Sequence, residues 1–220
     1  MINLKNNIIL VRHAESIKNI KHIHGGQGEA LTTNGLAQAK NVVQTLRKSD
    51  IDLNALRIYA STSVHTRETA KIIAEELNLS IEKPLEFRPL YFGIADGLSE
   101  EELSLRYPQI QALFEKWRRR EIDIKELIIE GMESPIDFWR RGEAFLKTIP
   151  NEGNSLLVCS NSLMILLSNI MLGNHPIATN EYKHITIQNC GIIAFVKVNS
   201  TTYLLNREIT NVEISTSSNL

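Results

Sequence analysis

Ile8-Ile9-Leu10-Val11 is an unbroken apolar run, mostly β-branched, and Arg12-His13 follow it at once. A strand of this kind is buried on both faces, the condition of strands in parallel sheets covered by helices. The next segments keep to that plan. Leu36, Ala39, Val43 and Leu46 recur at helical spacing behind Thr32 or Thr33 as N-cap. Residues 56–60 read as a second strand, and Ala70, Ile73 and Leu77 mark a second helix that ends near Asn78. Strand, helix, strand, helix at this spacing predicts parallel crossover units. Later, residues 155–159 form another apolar strand, feeding a nearly all-apolar helix that stops at Gly173. The last strands are expected at 185–188, 191–198 and 202–205.

The middle of the chain differs. Residues 99–132 are helical in pattern and highly charged, punctuated by Pro108, and are expected to form a cap over a site built on the sheet. Ser134-Pro135 supplies a cap and first turn for a helix running toward Leu146, and the turn at 150–153 follows. The expected organisation is one domain over residues 1–214, with a helical cap insertion at about 99–132 and a polar, frayed tail at 215–220.

Charge and cysteine content exclude several function classes. Lys plus Arg number 24 and Asp plus Glu 25, a net charge of −1, which disfavours a general nucleic-acid binder. The basic run Lys116-Trp117-Arg118-Arg119-Arg120 is balanced by Glu115, Glu121, Asp123 and Glu126 and reads as a solvated helix face. Cys159 and Cys190 are too few for a disulfide framework and sit in strand-like stretches, as reduced buried thiols do. The first residues lack the apolar run of a signal peptide. The longest apolar stretch, 163–172, is interrupted by Ser168 and Asn169 and is too short to span a bilayer. A cytoplasmic protein without membrane contact is expected. His22, His24, His175 and His184 show no ligand spacing and read as loop or surface residues. No metal and no cofactor are expected.

Ligands of open α/β sheets bind at the carboxyl ends of strands, where Arg12 and His13 stand. Around them, a series of segments in order resembles the histidine phosphatase superfamily, its phosphoglycerate-mutase-like branch in particular. They are Val11-Arg12-His13-Ala14-Glu15-Ser16 with Asn19, then Leu31-Thr32-Thr33-Asn34-Gly35-Leu36-Ala37-Gln38-Ala39. Next come Tyr59-Ala60-Ser61 through Arg67-Glu68-Thr69-Ala70, Phe92-Gly93 with Gly97-Leu98, Glu133-Ser134, and Leu157-Val158-Cys159-Ser160. The resemblance implies a three-layer α/β/α sandwich with a mostly parallel sheet, antiparallel at one edge. It implies phosphoryl transfer through a phosphohistidine, with His13 as nucleophile, Arg12 gripping the phosphoryl oxygens with its planar donor fork, and Ser16 and Asn19 donating further hydrogen bonds.

The family pattern fails at three positions. Where it places a second arginine, an ungapped alignment on Thr69-Ala70 puts His65; Arg67 lies two residues on, a rotation of roughly 200° on a helix, and a one-residue shift brings it back into play. Where it places the glutamate that protonates the leaving group stands Pro89, leaving Glu133, Glu86 and Asp96 as candidate donors. Where it places a second histidine after the late strand stands Asn161, uncharged but at a helix start that favours anions. Loss of a general acid costs ~10²–10⁴ in rate, so an acyl phosphate, with its good leaving group, suits such a site better than an alkyl ester. Two functions compete: a specialised phosphohydrolase or phosphotransferase using His13, and a catalytically degenerate pseudophosphatase that binds a phosphorylated or anionic ligand or a protein partner. In either case the expected ligand is a small phosphorylated or anionic molecule.

Overall fold

A computed structural model describes residues 6–54, 56–82, 87–176, 182, 185–212 and 214. The predicted strand after the amino terminus is β1 (Asn7–Arg12), and its apolar residues are all buried. The chain continues through α1 (Ile17–Ile20), α2 (Thr33–Arg47), β2 (Arg57–Ala60) and α3 (Val64–Leu77). Then come α4 (Glu100–Arg106), α5 (Pro108–Arg118), α6 (Pro135–Thr148), β3 (Ser155–Cys159), α7 (Asn161–Leu172), β4 (Ile192–Lys197) and β5 (Tyr203–Asn206).

The sheet order is β2-β3-β1-β4-β5. β3 pairs in parallel with both β1 and β2, whereas β4 runs antiparallel to β1 and to β5. This is the mixed α/β sandwich expected, with the antiparallel pairing confined to one edge. Alternation along the central strands builds two cores at once. Ile8, Leu10, Leu157 and Cys159 join the cluster that includes α6 and α7 residues, while Ile9, Val11, Leu156 and Val158 join the cluster of α2 and α3. A strand facing two helical layers cannot alternate with polar residues, which is why β1 and β3 read as continuous apolar runs.

Local chemistry sets the helix boundaries. Thr32 is the N-cap of α2, its Oγ1 accepting from Gly35 N at 2.9 Å. Asn78 closes α3 in the left-handed conformation with φ of 54°, and Gly173 closes α7 with φ of 78°. Ser134 caps α6 with Pro135 in the first turn.

Several expectations are corrected here. Residues 185–188 form no strand; they run as an extended loop whose Ile187 carbonyl accepts from Arg12 Nη1. Leu36 is exposed at 46%, and Val42 takes the core position instead. Cys190 lies in a turn with φ of 58° and is only half-buried, unlike Cys159, which is fully enclosed in β3. The tail at 215–220 lies outside the described residues, as does Glu86. Among the described residues no helix is long and apolar enough to cross a membrane.

Candidate active site

The parallel strands β2, β3 and β1 end on the same edge of the sheet, and each delivers a residue pair there. β1 runs directly into Arg12 and His13. The His13 N–H donates to Cys159 O at 3.0 Å and the Arg12 N–H to Gly191 O at 3.0 Å, so β3 and the 189–191 turn fix the end of β1 from both sides. After β2, Ser63 opens α3 and places His65 in its first turn. After β3, Ser160 caps α7, accepting from Leu163 N, and Asn161 is the first helical residue.

These elements meet around a cavity of about 360 Å³ lined by Arg12, His13, Asn19, His65, Pro89 and Asn161, among others. The His13 and His65 rings lie 3.9 Å apart, centroid to centroid, inclined at 48°. His13 is 4% exposed and His65 2%. Nδ1 of His13 donates to the Ala14 carbonyl at 2.8 Å, which leaves Nε2 as the free, lone-pair nitrogen. Burial, then the neighbouring His65 and Arg12, holds His13 well below the usual histidine pKa. Burial together with the charges of Lys18 and Arg12 pushes His65 down to about 3. Both rings are therefore neutral at physiological pH. Arg12 Nε is buried with no partner among the described residues, and burial lowers the guanidinium's pKa. An orphaned buried donor on a cation, beside a neutral imidazole, suits an incoming anion.

The His13 loop is positioned by side chains from three directions. Ala14 N donates to Thr69 Oγ1 of α3 at 3.1 Å, and that hydroxyl donates to the His65 carbonyl at 2.7 Å. Asn189 Nδ2 donates to the His13 carbonyl at 2.9 Å and to Asn19 Oδ1 at 3.3 Å. Asn19 Oδ1 also accepts from Ser16 N and Ser16 Oγ, each at 3.0 Å, so the amide is oriented with Nδ2 as its remaining donor end.

Other sequence candidates fall elsewhere. Ser16 is fully buried and holds Asn19 rather than lining the cavity, because its hydroxyl is spent on the α1 cap. Arg67 turns away: its Nε donates to Thr62 O at 2.9 Å and its side chain is exposed, so of the two candidates His65 lines the cavity. Glu133 is not in the cavity wall; it accepts from Arg141 Nη2 at 2.8 Å and pairs with Arg88 at 3.2 Å. Asp96 accepts from Gly26 N at 2.8 Å and Phe92 N at 3.2 Å, tying two loops together outside the wall.

The cavity also takes residues that sequence reasoning missed. His24 is no surface histidine. It stacks on Phe114 of α5 with centroids 4.2 Å apart, and burial lowers its pKa to about 4. Exposed His22 lines the rim, and so do Trp117 and Arg118, the inner half of the basic run read as a solvated face. Arg119 does behave as expected, pairing with Glu115 and Glu121 in solvent. Arg118 donates to Glu100 at 2.7 Å, and Glu100 is the one carboxylate in the wall among the described residues. Lys18, inside the first motif, lines the cavity as well. The signal for Lys18 lay in its position, one residue before Asn19 on the same short helix. His24 and Arg118 carried no comparable signal. Among the described residues no group of three or more His, Cys, Asp or Glu could hold a metal ion.

The sequence profile of the Histidine phosphatase superfamily (branch 1) matches residues 8–207. The chain belongs to that superfamily. A relative of Yersinia enterocolitica described as a probable phosphoglycerate mutase GpmB is 30% identical over 191 residues, covering 84% of this chain and 82% of its own. Bacillus stearothermophilus YhfR superposes with a TM-score of 0.74 at 19% identity, covering 95% and 98% of the two chains. The phosphoserine phosphatase of Entamoeba histolytica, solved with 3-phosphoglyceric acid, gives 0.68 at 20% identity, covering 96% and 98%. At those identities the solved structures show the shared fold alone.

Proposed function

We propose that the protein is a specialised phosphohydrolase or phosphotransferase that acts through a phosphohistidine at His13, on a small phosphorylated molecule. The observation that carries this reading is the neutral His13 ring, with Nδ1 tied to the Ala14 carbonyl, beside the orphaned Arg12 donor. His13 Nε2 attacks phosphorus, and the bond to the leaving oxygen breaks, that oxygen keeping the electron pair. Arg12, Asn19 and the Asn161 amide hold the three non-bridging oxygens, where charge resides during transfer. Water then attacks the phosphohistidine, releasing phosphate and the free imidazole. The 3-phosphoglyceric acid bound by the Entamoeba enzyme supports a small phosphorylated ligand.

Pro89 and the placement of Glu133 and Asp96 outside the cavity wall bear on the substrate. With no unpaired carboxyl in the wall among the described residues, leaving groups that need no proton are preferred. Acetyl phosphate should therefore turn over faster than p-nitrophenyl phosphate, and both faster than sugar phosphates. The test is trapping with ³²P-labelled acetyl phosphate. The expected outcome is an acid-labile, base-stable label on the wild type that is absent from His13→Ala. An unlabelled wild type that still binds phosphate would favour the second function, a non-catalytic binder, for which the lack of an unpaired carboxyl in the wall among the described residues is the specific support.

A further inference from the structure

We propose that Lys18 is the second cation of the phosphoryl site, its ammonium binding non-bridging oxygens alongside the Arg12 guanidinium. The proposal rests on the phosphoryl-transfer function above and adds to it a residue outside the motif positions that suggested it. A phosphoryl dianion in a partly closed cavity needs more than one positive charge close by. The buried histidines of this cavity do not supply it, since burial holds His13, His65 and His24 neutral, and His22 stands exposed at the rim. Arg118 is committed to Glu100. Lys18 is different: it is half-buried, it lines the same cavity as Arg12 and His13, and its Nζ donates to the Gly25 carbonyl. It forms no ion pair among the described residues, and an ammonium with one carbonyl partner keeps two further donors.

Its electrostatic reach points the same way. The Lys18 charge is the largest charge effect on His65, ahead of Arg12, and it also acts on His13. Lys18 lines the same cavity as His65, at the position where the resembled family has its second arginine and this chain has a neutral histidine. Burial, with Arg12 adding to it, pushes the ammonium down to about 8, and Asp96 and Glu29 act in the opposite direction. A cation destabilised by burial beside another cation is the state that an incoming dianion relieves.

Calorimetric titration with sodium sulfate tests this without requiring turnover. Sulfate keeps its double charge across the working range, so its affinity reports the protein's groups. At pH 7, Lys18→Met should weaken sulfate binding at least about tenfold, whereas Lys18→Arg should keep it within about threefold. Equal affinity in wild type and Lys18→Met overturns the proposal and leaves the His13 reading standing. A wild type that binds neither sulfate nor phosphate overturns both. A second measurement needs no variant to fold: wild-type sulfate affinity should fall as pH rises from 7 to 9.5. The groups acting on Lys18 are Arg12, Asp96 and Glu29; the cavity also presents His22 at its rim and the paired Glu100 and Arg118, and burial keeps His13, His65 and His24 neutral in this range. A flat profile overturns the assignment.

Discussion

His13 and His65 share one buried space but not one task. His13 has its Nδ1 held by a backbone carbonyl, while His65 Nδ1 is buried without a partner among the described residues. The unpartnered ring lines the cavity with Pro89 and Asn161, the three positions at which the sequence is expected to depart from the family pattern. If the departures are what limit ester hydrolysis, His65→Arg, Pro89→Glu and Asn161→His together should raise p-nitrophenyl phosphate turnover by about 10²-fold or more. Each alone should change it less than about tenfold, because residues acting as a unit are not additive. Steady-state rates decide it; a folded triple variant as inactive as His13→Ala would mean the cavity serves another ligand. Glu133 makes the opposite case. Its carboxylate, 10% exposed, neutralises Arg141 at 2.8 Å, and Arg141 in turn donates to the Arg88 and Pro89 carbonyls. Glu133→Gln should lower stability by about 3 kcal/mol in denaturant melts and leave turnover per folded molecule within about threefold.

The Thr-Thr-Asn-Gly start of α2 works as a clamp on the His13 loop. Thr32 N donates to Glu15 O at 3.1 Å and Thr32 Oγ1 to Glu15 Oε1 at 2.6 Å. Gly35 allows this approach, since a Cβ there would sit 2.0 Å from the Glu15 carbonyl oxygen. Backbone cannot yield as a side-chain end does, so Gly35→Ala should cost about 1–3 kcal/mol despite its better helix propensity. It should also weaken sulfate binding, because the displaced segment carries Asn19. Unchanged melting and affinity would show that α2 does not hold the loop. This dependence was not legible in the apolar periodicity of α2, which misassigned Leu36. It came from a contact between segments some twenty residues apart.

Across the whole molecule, burying neutral histidines makes stability depend on pH. Below about 6.5 the unfolded chain takes up protons that His13 and His65 refuse while folded. Their contribution is therefore complete above pH 6.5 and is lost as pH falls toward the lowered values. Each loses up to about 1.4 kcal/mol per pH unit, so the pair loses up to about 4 kcal/mol between pH 6.5 and 5. For a chain of this size the melting temperature should drop on the order of 10 °C over that window. His65→Gln should flatten the slope; an unchanged slope would locate the titration elsewhere.

The three parallel strands, the capped helices that follow them and the Arg12-His13 pair were all determined by the sequence itself. Each rests on local chemistry: apolar runs, N-caps, left-handed C-caps and a polar pair at a strand end. Family motifs extended that reach to His65 and Asn161. Tertiary structure alone decided what completes the wall. Residues 185–188 form a loop, and its Ile187 carbonyl accepts from Arg12 rather than from a neighbouring strand. Glu133 became a structural anion because Arg141 from α6 reaches it, and His24 became a wall residue because α5 brings Phe114 against its ring. Each outcome depends on partners distant in sequence, whose approach no local pattern encodes. Charge placement follows the same rule: the position of Lys18 beside Asn19 places it near the site but says nothing of its partners, and only the fold leaves it lining the cavity without an ion pair among the described residues while Arg118 is neutralised by Glu100.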